Sequence, residues 1–244
     1  MQNVNSQDPL AVDVTEAIRA GDLPALRQLL ADHPGLATAR ISEDCGSGKQ
    51  SRSLLHIATD WPGHFPNGPR VIATLVAAGA DPNARFTGPH TETPLHWAAS
   101  SNDVPVLDVL IAAGADIEAP GAVISGGTPL TDARAFGQWR VAHRLIEHGA
   151  HATLQDAAPL GLLDRVQAYV DAPEPPTRDE ITCAFWGACH GGHLPTAEYL
   201  HQQGADIDWI GYDDMTPLDI ARVQDADKVV RWLCAHGAKS RTEL

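Results

Sequence analysis

Two short motifs recur in register along this chain and limit the folds that it can adopt. The first ends in Gly-Ala and places glycines at intervals of 35, 35, 55 and 33 residues, at positions 79, 114, 149, 204 and 237. The second opens a unit, as SLLH at 53–56, TPLH at 93–96, TPLT at 128–131 and TPLD at 216–219. Such a period indicates a repeat protein, in which each unit buries its apolar face against its neighbours.

The motifs themselves predict two helices in each unit. A Thr before Pro caps a helix whose first turn tolerates the missing N–H of proline, and a Gly ends the second helix in a left-handed conformation. The interval of 55 residues is too long for one unit, so we place a degenerate unit at 152–170, where ATLQ replaces TPLH. Each unit is therefore expected to be a helix, a turn, a helix and an outgoing loop.

This pattern resembles the ankyrin repeat. The resemblance implies an all-α solenoid of about seven helix pairs with short hairpin-like fingers, and a rigid concave surface that binds another protein. We expect an N-terminal tail at 1–13 and a single solenoid domain at 14–240. Within that domain we place an N-terminal capping pair at 14–38, an elaborated first finger at 39–52 and a C-terminal capping pair at 216–240.

Composition argues against several classes of partner. The 17 basic and 31 acidic residues give a formal net charge of −14, which repels nucleic acid and anionic membrane surfaces. The N-terminus has no basic leader, and no apolar run approaches the ~20 residues of a membrane span. We therefore expect an acidic, cytoplasmic protein that binds neither nucleic acid nor membrane. The 12 His residues show no HExxH or paired Cys/His spacing, so we predict no metal site and no cofactor.

One turn between helices is longer than the others. From the first Ala of the inner-helix Ala pair to the following Gly the interval is 16 residues in four units, for example 98 to 114, but 21 from 58 to 79. The five additional residues (21 − 16 = 5) lie within DWPGHFPNGP, which begins at Asp60. This insertion and the long first finger both lie in the N-terminal half, and such elaborations of a repeat protein often mark its binding face.

The resemblance also indicates which side chains face the binding groove, because the two positions after the Ala pair usually do so. Aromatic rings at such positions give a large contact area at a small entropic cost and are common hot spots of interfaces. The expected partner is a protein or a small apolar molecule. The predicted binding residues are Asp60, Trp61, Trp97, Ser100, Phe136, Trp186, His190 and Trp209.

Two functions remain open from the sequence. The first is a protein-interaction module, as the resemblance implies. The second is a small-molecule-binding enzyme of hydrolase, lyase or isomerase type, in which Asp60, His64 and His190 act as acid-base residues beside an aromatic pocket. This second function requires Asp60 and His190 to meet although they lie four units apart. His56 and His96 occupy the repeat's own His position, where the resemblance implies a bridge between backbone groups of neighbouring units.

Overall fold

The computed structural model of the protein describes residues 3–45 and 48–244. It divides into two compact units, Met1–Ala150 and His151–Leu244. We call these the first unit and the second unit, and each of them contains several of the repeat units defined above. Residues 1 and 2 of the predicted tail, and residues 46 and 47 of the predicted first finger, lie outside the described residues. The single solenoid domain over 14–240 remains a prediction.

The first unit consists of helices that stack in two layers. Its helices are α1 Pro9–Ala20, α2 Leu23–Asp32, α3 Leu54–Thr59, α4 Gly68–Ala77, α5 Pro94–Ser100, α6 Val104–Ala112, α7 Pro129–Ala135 and α8 Trp139–Glu147. Odd-numbered helices pack against each other, and even-numbered helices do the same. Leu55, Leu95 and Leu107 are fully buried between them. Each helix pair thus shares its apolar core with the pairs on either side, as the repeat predicts.

The bridging role predicted for the two repeat histidines is confirmed. His56 is fully buried, and its Nδ1 accepts a hydrogen bond from the N–H of Ser53 at 3.3 Å. The Nε2–H of His56 donates to the carbonyl oxygen of Glu92 at 3.1 Å, which joins one unit to the next. His96 repeats the arrangement, with Nε2 3.3 Å from the carbonyl oxygen of Gly127.

The first finger forms an antiparallel hairpin, as the predicted hairpin-like fingers imply, and the N-terminal segment adds a third strand that the prediction did not include. Strand β2, Arg40–Cys45, pairs antiparallel with β3, Gly48–Ser53, and β1, Asn3–Asn5, pairs parallel with β2. The predicted tail therefore supplies a strand, and α1 begins at Pro9 rather than at residue 14. Asp8 caps α1 by accepting a hydrogen bond of 2.9 Å from the backbone N–H two residues later, and proline suits the first helical position. The Asp-Pro pair is the sequence signal for this earlier start.

The second unit has the same organisation around a core of its own. Its helices are α9 Leu154–Ala157, α10 Leu163–Val170, α11 Arg178–His190, α12 Leu194–Gln202, α13 Pro217–Val223 and α14 Asp227–Ala235. The degenerate unit predicted at 152–170 is confirmed, although its inner helix, α9, has only four residues. Phe185, Leu200 and Leu233 are fully buried in the core. Among the described helices of both units, none combines the length and the apolar character that crossing a bilayer requires.

Candidate functional site

The inserted turn between α3 and α4 begins with a carboxylate that is held on three sides. Asp60 Oδ2 lies 2.9 Å from Arg19 Nη2 and 3.0 Å from Arg52 Nη1, and Asp60 Oδ1 accepts a hydrogen bond of 3.0 Å from the N–H of Trp61. Two guanidinium groups therefore compensate its charge. The contacts of Asp60 fix the start of the insertion and the backbone of Trp61, whereas a general base needs a free lone pair directed at a substrate.

The same turn is bound to the following helix pair through His64. The backbone N–H of His64 donates to Asp103 Oδ2 at 2.8 Å, and its ring Nε2 lies 3.0 Å from the carbonyl oxygen of Ser101. A carbonyl oxygen only accepts, so Nε2 of His64 carries the hydrogen that it donates. Asp60 and His64 thus contact different residues. Together the two side chains hold the insertion between the preceding and the following helix pair.

Gly21, in the turn between α1 and α2, allows the insertion to pack closely on the preceding pair. Asn67 Nδ2 donates to the Gly21 carbonyl oxygen at 2.9 Å, and a β-carbon at Gly21 would lie 2.0 Å from the carbonyl oxygen of Pro66. We expect Gly21→Ala to lower the free energy of unfolding by about 1–3 kcal/mol more than Gly35→Ala does. Both glycines have positive φ, 66° and 92°, but a β-carbon at Gly35 meets no atom within 4 Å.

Urea denaturation of the two variants, followed by circular dichroism, measures this difference. Because the left-handed backbone penalty is common to both glycines, the excess loss at Gly21 reports the contact with the insertion. Equal losses in the two variants would show that the insertion does not pack tightly on this turn.

A cavity of about 410 Å³ lies beside the insertion, and we call it the Trp61 pocket. Five of the predicted binding residues line it together: Asp60, Trp61, Trp97, Ser100 and Phe136. The pocket is also lined by Ser101, the second of the two groove positions after the Ala pair at 98–99, and by four residues that were not predicted, which are His90, Glu92, Val123 and Gln138. Its volume is within the range of pockets that hold a small ligand or a side chain of a partner.

The apolar wall of the Trp61 pocket combines exposed and supported rings. Trp61 is 81% exposed and Phe136 is 50% exposed, so both rings present their surfaces to solvent. Trp97 is held in place by neighbouring rings, because its centroid lies 4.9 Å from that of His56 and 5.6 Å from that of Phe86. The wall therefore has one fixed ring and two rings that a ligand would cover.

The polar part of the pocket is centred on Glu92, which is only 5% exposed. Its Oε2 accepts a hydrogen bond of 2.8 Å from Trp97 Nε1, and its Oε1 accepts one of 2.8 Å from the N–H of Val123. His90 Nδ1 lies 3.1 Å from Oε2 but outside hydrogen-bond geometry, and the ring of His90 stacks on Phe86. Glu92 thus has a fixed orientation in the pocket.

Asp132, on α7, is a second buried carboxyl group next to Glu92. Neither of its side-chain oxygens makes a hydrogen bond of good geometry with another described residue, although Glu92 is close enough to interact with it. Burial, followed by the charge of Glu92 and hydrogen bonding to it, raises the pKa of Asp132 to about 8. Asp132 is therefore the group of the pair that holds a proton at pH 7, since only Glu92 has N–H donors on both oxygens.

Asp132 is absent from the predicted site residues, although the sequence carries a signal for it. It follows TPLT at the position where three other units have Ile57, Trp97 and Ile220, so a carboxyl group stands at an apolar position of the repeat. Glu92 has no comparable local signal. It precedes the capping residue of its own unit, and its burial depends on a partner 31 residues away in the next finger.

The remaining predicted site residues lie in the second unit, where they are packing residues. Trp186 is buried, and its Nε1–H donates to the carbonyl oxygen of Met215 at 2.9 Å, the residue that precedes the next TPL motif. It therefore makes the same inter-unit bridge as His56. The ring of His190 lies 5.4 Å from that of Trp186, and Trp209 packs on the core of its unit.

Both rings are thus buried in the second unit, and the binding role predicted for Trp186 and His190 stays a prediction. The glycine after His190 has an explanation in the fold, because a β-carbon at Gly191 would lie 1.9 Å from the carbonyl oxygen of Pro159. Gly191 therefore allows its backbone to pack closely against the backbone of Pro159. The meeting of His190 with Asp60 remains a prediction, since the two residues belong to different units.

The chemistry available in the Trp61 pocket is binding of a positively charged or polar group with an apolar body. A buried carboxylate attracts cations, and the faces of Trp and Phe rings do the same while covering methylene groups. Within the described ranges, no group of three or more His, Cys, Asp or Glu side chains is arranged to hold a metal ion.

Comparison with known proteins agrees with the repeat that the fold displays. Residues 55–156 match the family model described as ankyrin repeats, in three copies. An ankyrin repeat and KH domain-containing protein of Caenorhabditis briggsae is 29% identical over 167 residues, which are 63% of this chain and 6% of that protein. Palmitoyltransferase AKR1 of Lachancea kluyveri is 28% identical over 163 residues, 59% of this chain and 21% of that protein.

Protein fem-1 homolog A of Rattus norvegicus is 34% identical over 108 residues, which cover 41% of this chain and 16% of that protein. The chain therefore spans only a small part of the length of the relatives that it matches, and what it shares with them is the repeat. The repeated motifs, the stacked helix pairs and these similarities together show that the chain contains ankyrin repeats.

Proposed function

We propose that the protein is an interaction module that binds a protein partner through the surface around the Trp61 pocket. The observation that carries this proposal is the exposure of large apolar side chains at one site. Trp61, Phe136 and Val123 are all exposed and all line the pocket. Clustered apolar side chains in contact with water are typical of a surface that a partner covers.

The anchoring of the insertion supports the same function. Asp60 and His64 hold the turn that carries Trp61 between two helix pairs, so its backbone is ordered before binding. The turn then loses less conformational entropy when a partner binds than a mobile loop would lose, and this preorganisation favours affinity. Tryptophan, the residue type of Trp61, is among those that contribute most of the binding energy at protein interfaces.

We favour this module over the enzyme because the acid-base residues that the enzyme needs have other contacts. Asp60 is paired with Arg19 and Arg52, and the ring of His64 is bound to a backbone carbonyl. His190 packs beside Trp186 in the second unit. Seven helix pairs in a single solenoid domain, and a cytoplasmic location, remain predictions from the sequence.

The test begins by capturing partners of the immobilised full chain from a lysate of the organism that encodes it. The identified partner is then purified, and its dissociation constant is measured by calorimetry for wild type and for Trp61→Ala. We expect Trp61→Ala to weaken binding about 30-fold, which corresponds to about 2 kcal/mol for a hot-spot tryptophan.

Val223→Ala is the matched control, because Val223 is another exposed apolar side chain but belongs to the second unit and does not line the Trp61 pocket. It is expected to bind the partner like wild type. A partner that binds wild type and Trp61→Ala equally well would show that its binding surface lies elsewhere, and the proposal would then be wrong.

A further inference from the structure

We propose that the Trp61 pocket binds a lysine side chain of the protein partner, with the methylene groups against the Trp and Phe rings and the ammonium group at Glu92. This inference rests on the proposed function and specifies the chemistry of that interaction. It follows from the cavity, from the rings that line it and from the carboxylate inside it.

The rings suit the long side chain of lysine. Trp61, Trp97 and Phe136 line one cavity, and two of these rings have much of their surface in water. The flat faces of aromatic rings cover methylene groups and attract a cation at short range. A neutral apolar ligand would use the rings but would make no electrostatic interaction with the carboxylate of Glu92.

The carboxylate of Glu92 suits an ammonium group. Its two oxygens offer about four acceptor positions, and Trp97, the backbone of Val123 and the protonated Asp132 occupy at most three of them, so one remains for an ammonium group. Because Glu92 is 5% exposed, an electrostatic interaction with it is screened less than one at the surface.

The surroundings of the pocket favour a cationic group over an anionic one. Arg19 and Arg52, which contact the first residue of the insertion, are both paired with Asp60. The chain as a whole carries a formal net charge of −14. An acidic ligand would therefore meet uncompensated negative charge, whereas a basic segment of a partner is attracted to it.

The geometry of Glu92 distinguishes lysine from arginine. An arginine side chain binds best to a carboxylate through two parallel hydrogen bonds, which require both oxygens. Trp97 and Val123 occupy one position on each oxygen of Glu92, so this paired arrangement is obstructed. A compact ammonium group needs only one free acceptor position.

NMR titration of the full chain provides the test, with the indole N–H signals of Trp61 and Trp97 as reporters. The probes are three peptides of the form acetyl-Gly-Ser-X-Ser-Gly-amide, in which X is lysine, Nε-acetyl-lysine or arginine, and n-butylammonium chloride. We expect the lysine peptide to bind at least tenfold more tightly than the other two peptides, and n-butylammonium, which has the same methylene and ammonium groups, to shift the same two indole signals. Equal affinities of the three peptides, or no change in the two indole signals, would overturn the inference, and so would an n-butylammonium ion that binds at least tenfold more tightly than the lysine peptide, which would indicate a free amine as ligand.

Variants separate this inference from the proposed function. Trp61→Ala and Glu92→Gln are expected to weaken binding of the lysine peptide at least tenfold, and Val223→Ala is expected to leave it unchanged. Trp61 is exposed, so its variant is suitable even if Glu92→Gln does not fold. Retention of the partner that depends on Trp61, without preference for lysine, would exclude the lysine inference alone. The opposite result is that the pocket prefers the lysine peptide but that partner binding does not depend on Trp61. This result would exclude the proposed function, and it would show that the lysine does not come from that partner.

Discussion

We expect the difference in free energy of unfolding between Asp132→Asn and wild type to change by about 4 kcal/mol in favour of the variant as the pH rises from 5 to 8. Burial and the neighbouring Glu92 raise the pKa of Asp132 to about 8 in the folded protein, whereas an unfolded aspartate has a pKa near 4. Between these values the folded state holds a proton that the unfolded state has lost. The stabilisation is therefore complete below about pH 4 and is lost as the pH rises through 8.

The substitution has this effect because asparagine does not titrate. The Asn side chain keeps an N–H donor that can face Glu92, in the same way as the protonated acid. Each pH unit between the two pKa values is equivalent to about 1.4 kcal/mol for one proton, so the contribution of residue 132 to stability falls with rising pH in wild type and does not in the variant. The variant is expected to equal or exceed wild type in stability at pH 8.

Urea denaturation at pH 5, 6, 7 and 8 measures the difference between the two proteins. Asp13→Asn, which changes an exposed carboxylate of the same unit, is the control for the general effect of removing an acid. A difference between Asp132→Asn and wild type that stays constant from pH 5 to pH 8 would show that Asp132 is not protonated in the folded protein.

The repeat allowed the helices to be predicted because its signals are local. The capping residue, the proline after it and the glycine after the second helix each act within one turn of a helix, so their spacing is sufficient to locate α5 and α13. The third strand of the small sheet, β1, was not predicted because its pairing is not local. β1 and β2 are separated by two helices in the sequence, and pairing between Val4 and Ile41 is a contact that no local pattern contains.

The candidate site was only partly predictable for a related reason. Trp61 and Phe136 were identified because they occupy equivalent positions of their units, and the repeat places such positions along one face. Glu92 was missed because its burial requires Val123 from another unit. Trp186 shows that an aromatic ring at a repeat position can also serve the fold, since it takes over the bridge that imidazoles make elsewhere.

Acid is expected to destabilise the protein through His56 and His96. In the Asp132→Asn background, lowering the pH from 7 to 5 is predicted to reduce the free energy of unfolding by about 4 kcal/mol. Burial is the main cause of the pKa values of about 3 for His56 and about 4 for His96. Since the unfolded rings take up protons below about pH 6.5 and the folded ones do not, their stabilisation is present above that pH and is lost as the pH falls.

The hydrogen bonds of the two rings explain why the folded state resists protonation. In each ring Nε2 donates to a carbonyl oxygen while Nδ1 accepts from a backbone N–H, of Ser53 in one case and of Thr93 in the other. A second proton would place two N–H groups against each other in a buried space. Each ring thus contributes about 1.4 kcal/mol per pH unit below 6.5.

Denaturation of Asp132→Asn at pH 7, 6 and 5, with and without His56→Gln, tests this role of the histidines. The additional substitution is expected to lower stability at pH 7, because the bridge is weakened, but to remove about half of the loss between pH 7 and pH 5. His143→Gln, at an exposed position on α8, is the control and should leave the slope unchanged. If His56→Gln does not alter the slope, burial of the repeat histidines does not control acid stability. Because Asp132 acts in the opposite direction to the two histidines, wild type should lose less stability in acid than Asp132→Asn and should be most stable near pH 6.5.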